Sequence, residues 1–303
     1  MNAIWRWAAV AALMFDGVMA AAQSAAPPVE DAQGVAEKRA AALHPQQGHV
    51  ALGEAHASLD LGQAYDFYGP EDARTIIVEL WHNPPAVADG VLGMVLPAGK
   101  SPLSEAWGAV VTYDASGHVD DADANDTDYA EILDSLKKAT EERNPDRIAK
   151  GYQATHLSGW AEYPRYNPAT HSVVWAQDIA FEGEEGHGLN YDLRTLGRNG
   201  VLSINFVSTM ARLPEIRAAA ASFADHAAFD PGARYADFDP SIDKKAEYGV
   251  GGLVAAGLGV VLAKKLGLLA LFVKFIKPLS FAVIALIAVL RRRIGRLFRR
   301  GGE

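Results

Sequence analysis

Cysteine is absent from this chain of 303 residues. That absence excludes disulfide scaffolds, thiol catalysis, Cys-ligated zinc sites and iron–sulfur clusters. Three catalytic signatures are missing as well: the His-Glu-x-x-His pair of zinc proteases, the Gly-x-Ser-x-Gly elbow of serine hydrolases and a glycine loop that cradles phosphate. Half of the residues are nevertheless apolar, and the chain is long enough to bury a large core.

Acidic side chains are nearly absent from the C-terminal end. Residues 249–303 contain ten Lys or Arg residues and one acid, Glu303. The whole chain has a net charge of −9 and residues 1–22 are neutral, so residues 23–248 carry −18. A surface of that sign repels a phosphate backbone, which predicts that the protein has no nucleic-acid partner.

The N-terminal end has the pattern of a secretory signal peptide, assigned to residues 1–22. Arg6 precedes an apolar run, and three alanines from Ala20 offer a small-residue cleavage site. An uncleaved N-terminal anchor is the alternative, although the run is short for a membrane span. Residues 23–47 follow as a predicted disordered leader, because their start is polar and rich in Ala and Pro.

The C-terminal end predicts attachment to a membrane. Residues 241–290 contain long apolar stretches interrupted by lysines, and residues 291–303 form a basic tail with six arginines. The positive-inside bias places this tail in the cytoplasm of a bacterium. With a secretory signal, the domain of residues 48–240 then lies in the periplasm, held at the inner membrane. One crossing is the simplest arrangement, and a hairpin or a surface-lying segment are the alternatives.

Two further expectations concern the start of that segment. Asp239 is a suitable cap and Pro240 suits a first turn, so one helix is predicted to run from Pro240 into the membrane. A mobile tether broken by glycines is the alternative. Gly251, Ala255 and Gly259 recur every four residues, a spacing that lets two helices approach closely and predicts a homo-oligomer. The alternative is that glycine and alanine simply abound here.

Between the two ends, short β-type runs alternate with two helical patterns. Asn199-Gly200 between two such runs is a strong hairpin signal. The order favours an α+β fold, a mostly antiparallel sheet with two main helices, followed by a C-terminal membrane helix or helices. The predicted strands cover residues 49–52, 75–81, 91–96, 107–113, 160–163, 173–181, 189–196 and 201–207, and the predicted helices cover residues 126–143 and 214–223.

Several motifs occur in an order that resembles a bacterial family. They include Trp81-His82-Asn83-Pro84-Pro85, Gly159-Trp160-Ala161 and, the longest, the block from Asn190 to Leu202. From about Gly48 onward, the chain is similar to a family of predicted membrane-anchored proteins of unknown function. The resemblance implies a signal peptide, an exported domain and a C-terminal membrane anchor. It implies no reaction, cofactor or catalytic residue.

Acids alternate from Asp121 to Asp128, a pattern that resembles the start of a calcium-binding loop. However, Ile132 stands where the bidentate glutamate of such a loop belongs. The alternative interpretation is acidic capping of the following helix, with Asp126 or Thr127 as the cap.

The nine histidines are scattered along the chain. His187 follows Glu184 and Glu185, so this segment offers either an imidazole and two carboxylates to a metal ion or a solvated loop. The other candidates for acid–base chemistry are His82, Glu79 and Asp66, although nothing in their spacing singles them out.

Six aromatic residues lie in or beside predicted strands, where packing in the core is the default: Trp81, Trp107, Trp160, Tyr163, Tyr166 and Trp175. The functional alternative is a carbohydrate- or peptide-binding face built from Trp160, Tyr163 and Tyr166. Two ion pairs are predicted to be structural, Arg194 with Asp192 and Arg198 with Asp237.

The function that these observations favour is a binding or scaffolding module of the bacterial envelope. Its predicted partners are the inner membrane and other envelope proteins. No catalytic, cofactor-binding or metal-binding residue is assigned. The alternative function is a periplasmic hydrolase or metal-dependent enzyme with a site near His82 or His187.

Overall fold

The structure, a computed structural model, describes residues 29–258. The predicted signal peptide, most of the apolar C-terminal segment, Gly259 and the basic tail lie outside these residues. The helices are α1 (Val29–Ala41), α2 (Pro70–Arg74), α3 (Tyr129–Ala149), α4 (Leu213–His226) and α5 (Val250–Ala255). The strands are β1 (His49–Leu52), β2 (Ala57–Asp60), β3 (Tyr65–Tyr68), β4 (Val91–Pro97), β5 (Gly108–Asp114), β6 (His118–Asp120), β7 (Thr155–Asn167), β8 (Ser172–Phe181), β9 (His187–Leu196), β10 (Val201–Thr209), β11 (Ala227–Phe229) and β12 (Lys245–Gly249).

The largest sheet has seven antiparallel strands in the order β3-β4-β5-β10-β9-β8-β7. Its β9–β10 hairpin pairs Leu196 with Val201, which confirms the turn predicted at Asn199-Gly200. Glycine is needed at position 200, because a Cβ there would overlap the carbonyl oxygen of Asp114. Within the described residues, the α+β class with a mostly antiparallel sheet is confirmed.

One face of this sheet packs against α4 and a small sheet of order β1-β2-β11. The two-residue period of a strand directs Leu202, Ile204 and Phe206 of β10 to this face. Phe223 of α4 is fully buried, and its ring centre lies 5.4 Å from that of Phe206. This contact holds α4 against the sheet. The exposed side of α4 borders β7 and β9.

The opposite face of the sheet carries three separate apolar clusters. α1 and α2 cover β4, α5 covers the start of β8 and the end of β9, and α3 covers β7. Between these clusters, buried polar side chains of β8, β9 and β10 point to the same face of the sheet. These are Gln177, Asn190, Asp192 and Ser203.

The strand predicted at residues 75–81 is wrong. Pro70 begins α2, which continues directly into a π-helical turn, Thr75–Leu80. Ile76, Ile77 and Leu80 are buried in the cluster beside β4. The β-branched residues suggested a strand, but the helical start at Pro70 and the packing of one face against the sheet outweigh that propensity.

The disordered leader predicted for residues 23–47 is also wrong where the structure describes it. Residues 29–41 form α1, with Ala36 buried beside the π-helical turn. Arg39 pairs with Glu79 of that turn at 2.7 Å. Alanines with long polar residues are good helix formers, and a docking surface is enough to order such a helix.

The continuous helix predicted from Pro240 is not present. Residues 245–249 form β12, which runs parallel to β6, and a short helix, α5, follows it. Arg198 holds Asp243 in the preceding turn with bonds of 2.7 and 3.1 Å, so its partner is Asp243 and not the predicted Asp237. Asp237 instead accepts the backbone N–H groups of Gly232 and Arg234.

The first part of the predicted membrane-anchoring segment belongs to the domain core. Val250, Leu253 and Val254 are almost fully buried against β8 and β9. Gly251 lies against Thr127, and Ala255 is buried as well, so within the described residues this part of the predicted oligomer stripe faces the domain itself. No helix in residues 29–258 is long and apolar enough to span a membrane.

Candidate functional site

Two of the acids between Asp121 and Asp128 cap helices of the domain. Asp128 accepts the N–H groups of Ala130 and Glu131 at 3.0 and 3.1 Å and is therefore the cap of α3, in place of the predicted Asp126 or Thr127. Asp123 caps α5, with 2.8 Å to the N–H of Val250 and 3.1 Å to that of Gly251. Among the described residues, no group of three or more His, Asp or Glu side chains is placed to hold a metal ion.

Replacing Asp123 by alanine is expected to release the start of α5, at a cost of about 1–2 kcal/mol in local stability. Two charge-assisted hydrogen bonds are lost and two N–H groups are left without acceptors. Hydrogen exchange at the amides of Val250 and Gly251 should accelerate roughly five- to thirtyfold. Asp126→Ala removes an exposed acid of the same loop and is the control; equal acceleration in both variants would contradict the capping role.

Two of the three acid–base candidates, Asp66 and Glu79, take part in structural contacts. Asp66 is buried and accepts from Gln47 Nε2 and the Gly99 N–H, both at 2.7 Å. Glu79 pairs with Arg39, as described above. His82 lies two residues after the π-helical turn and adopts a left-handed conformation, with φ of 54°. These contacts give Asp66 and Glu79 structural partners of their own.

His187 contacts a different carboxylate from the two that the sequence suggested. Its Nδ1 lies 2.5 Å from Asp178 Oδ1, a residue of the neighbouring strand β8. Glu184 accepts a hydrogen bond from Gln153 Nε2 at 3.0 Å. The pattern at residues 184–188 missed Asp178 because this residue lies nine positions before His187, on the neighbouring strand. An enzyme built on His82 or His187 stays a prediction.

Of the predicted aromatic face, Tyr163 and Tyr166 line a groove and Trp160 does not. Trp160 points toward α3 and donates its indole N–H to the carbonyl of Tyr129 at 3.1 Å. Tyr163 is 53% exposed, and both Tyr163 and Tyr166 border an open groove. Trp107 and Trp175 are buried, as the core interpretation predicts.

The groove lies across β7, the edge strand of the large sheet, and has a volume of about 840 Å³. Three irregularities in the β7–β8 pairing, together with Pro164, keep this edge from offering a regular ladder to another strand. Its walls come from the loop before α3, the β7–β8 hairpin and α4. The polar uncharged residues lining it are Asn125, Thr127, Asn167, Thr170 and Ser172.

A buried carboxylate at this strand, Glu162, holds two arginines of the groove. Arg217 of α4 donates Nε to Glu162 Oε2 at 2.7 Å, and Arg165 donates Nη2 to Oε1. Burial raises the pKa of Glu162, but the hydrogen bonds from Arg217 and Arg165 outweigh it and hold that pKa below its usual value. Burial and the nearby Glu162 raise the pKa of Tyr191, also in the groove, to about 12.

No sequence motif singles out Glu162, Arg165 or Arg217. Arg217 is 55 residues from Glu162, and only the packing of α4 on the sheet brings the two together. A local signal exists for the other pair, because Glu162 and Arg165 are three residues apart around Tyr163-Pro164. Whether Glu162 and Arg165 can pair across this spacing depends on a strand irregularity that the composition does not reveal.

Near the groove, Tyr166 belongs to a second polar cluster. Its hydroxyl donates to Asp121 Oδ2 at 2.6 Å and lies 3.0 Å from His171 Nδ1. The ring of His171 stacks on Tyr235 at 4.2 Å, and Tyr235 also contacts His118. Burial and the Asp121 carboxylate raise the pKa values of Tyr166 and Tyr235, so both hydroxyls stay protonated donors. This cluster ties the segment before β12 to the β7–β8 hairpin.

A family model described as a protein of unknown function, DUF2167, matches residues 44–290. The chain belongs to this family. Membership confirms the resemblance to an uncharacterised family, whereas the signal peptide and the membrane anchor stay predictions. No curated protein matches the chain. Among solved structures, it is similar to the solution structure of cyanobacterial PsbP (CyanoP) from Synechocystis sp. PCC 6803, at 8% identity and a TM-score of 0.33, over 62% of this chain and 92% of that one. A likeness this weak says nothing about function.

Proposed function

We propose that this DUF2167 protein is an exported binding module of the bacterial envelope, held at the inner membrane, and that the groove across β7 is its binding surface. The charge pattern supports the location, since an acidic domain is followed by a basic C-terminal end. The observation that carries the binding role is the groove itself, with its half-exposed Tyr163 and its hydroxyl- and amide-bearing walls.

The lining favours a saccharide over an apolar ligand. A sugar ring presents C–H faces that pack on an aromatic ring, and hydroxyl groups that exchange hydrogen bonds with Asn, Thr and Ser side chains. Tyr163 supplies the ring, and its neighbour Tyr129 holds it edge-on, with ring centres 5.9 Å apart and planes at 90°. Because the groove is open at its sides, an oligosaccharide can extend through it.

The test is titration of the full-length protein, purified in a mild detergent, with neutral and acidic oligosaccharides: cello-, chito- and galacturono-oligomers. Binding of at least one should be saturable, and Tyr163→Ala should weaken it about three- to tenfold. Tyr152→Ala, a partly exposed tyrosine outside the groove, is the matched control. If no oligomer binds, or if both variants lose equal affinity, the groove is not a saccharide site.

A further inference from the structure

We infer that Arg165 and Arg217 form a carboxylate-binding subsite in this groove, so that the ligand is a saccharide carrying a carboxylate group. The inference rests on the proposed function and specifies its ligand. Both arginines border the groove, and Glu162 between them fixes one edge of each guanidinium.

The geometry leaves donors for a ligand. The Glu162 side chain is only 7% exposed and receives one N–H from each arginine, whereas the side chains of Arg165 and Arg217 are 66% and 52% exposed. A guanidinium has five N–H donors in a planar fork. The N–H donors of Arg165 and Arg217 that do not bond to Glu162 are therefore accessible from the groove. The bonds to Glu162 restrict the orientation of both guanidinium groups. A second carboxylate fits the same fork geometry.

The charge favours an anion of low charge. Two arginines and one ionised Glu162 give the cluster a net charge of +1. One ligand carboxylate balances this charge. A phosphate monoester would bring nearly two negative charges to a groove that Asp225 also borders. Carboxylate is thus the anion that the cluster matches.

The experiment compares two forms of one sugar. Oligogalacturonate carries a carboxylate on each ring, and its methyl ester has the same rings without the charge. Each is titrated into the full-length protein in detergent at constant ionic strength. We expect the acid to bind about tenfold more tightly than the ester, the effect of one charge-assisted bidentate contact.

Variants separate the subsite from general charge effects. Arg217→Gln should reduce the affinity for the acid about tenfold and leave that for the ester unchanged. Arg212→Gln removes the same charge from an arginine that pairs with Glu215 outside the groove, and should change neither affinity. Glu162→Gln keeps an acceptor for only one of the two arginines, releases the other and removes the negative charge. It should therefore tighten binding of the acid and leave binding of the ester unchanged. A purely structural role of the cluster would make Glu162→Gln weaken both ligands.

Each outcome bears on a different proposal. Equal affinities for acid and ester would overturn the carboxylate subsite and leave the saccharide groove standing. Loss of the acid preference in Arg212→Gln as well would also overturn the subsite, because the preference would then come from overall charge. Failure of both forms to bind would overturn this inference, and with failure of the cello- and chito-oligomers it would remove the proposed function too.

Discussion

Replacing Arg194 by methionine is expected to cost about 3–5 kcal/mol of the free energy of unfolding at neutral pH. Arg194 and Asp192 lie two residues apart on the same face of β9, with the guanidinium Nη2 3.1 Å from Asp192 Oδ1. The Asp192 side chain is 4% exposed, and Arg194 also covers the ring of Trp175 at 5.2 Å. Methionine keeps part of the packing volume but leaves the carboxylate without its counter-ion.

The cost of this substitution should depend on pH. Burial raises the pKa of Asp192 in the native state, and Arg194 opposes that rise, so its loss raises the pKa further. A carboxyl group with a raised native pKa binds its proton more tightly when folded. Its destabilising effect is therefore absent below the unfolded-state pKa of about 3.9 and grows as the pH rises through the native pKa.

The measurement is urea unfolding of the full-length protein in detergent at several pH values, for Arg194→Met and for the double variant Arg194→Met/Asp192→Asn. The double variant should recover much of the loss at neutral pH, because no buried charge remains. Arg212→Met, which breaks an ion pair at the surface, should cost less than about 1 kcal/mol. A deficit in Arg194→Met that is equally large at acid and neutral pH would show that packing, not charge, accounts for it.

The sequence predicted those elements whose signals are local. The β9–β10 hairpin was predicted because Asn199-Gly200 lies between two apolar runs, and the register places Leu196 opposite Val201 as expected. The two predicted helices at residues 126–143 and 214–223 correspond to α3 and α4, with boundaries shifted by one to six residues. In each case, residues that are close together in the chain specify the element.

Elements that depend on tertiary partners were not predictable in this way. Residues 245–249 have no strong strand pattern, and they become β12 because β6, more than a hundred residues earlier, offers a free edge. Gly249-Val250 looked like the start of a membrane segment because the residues are apolar, but burial in a core and burial in a bilayer require the same composition. The partners that hold Val250 in the domain, among them Asp123 and Trp175, are far away in sequence.

The candidate site shows the same division. Their aromatic character points to Tyr163 and Tyr166, which do border the groove, whereas Trp160 packs against α3 and does not line the groove. A regular alternation would have placed residues 160, 162, 164 and 166 on one face. The irregular pairing of β7 with β8 breaks that period, and it brings Glu162 to the face on which Arg217 lies.

Replacing Phe223 by alanine is expected to have an equally large effect, about 3–5 kcal/mol in the free energy of unfolding. The side chain is fully buried, with its ring centre 4.8 Å from that of Tyr65 and 5.4 Å from that of Phe206. Alanine would leave a cavity between α4 and the sheet. Two rigid aromatic neighbours cannot collapse easily into that space, so the cost should be near the upper end of the range for large-to-small substitutions.

This substitution also tests how the groove is built, since α4 carries both Phe223 and Arg217. The midpoint of urea unfolding should fall markedly for Phe223→Ala, and the preference for the acid form of oligogalacturonate should shrink under conditions where the variant is still folded. Tyr163→Ala, which truncates a half-exposed aromatic residue of the same groove, should change stability by less than about 0.5 kcal/mol while weakening the ligand. If Phe223→Ala unfolds at the wild-type midpoint, α4 is not held by this contact, and the position of Arg217 beside Glu162 must have another cause.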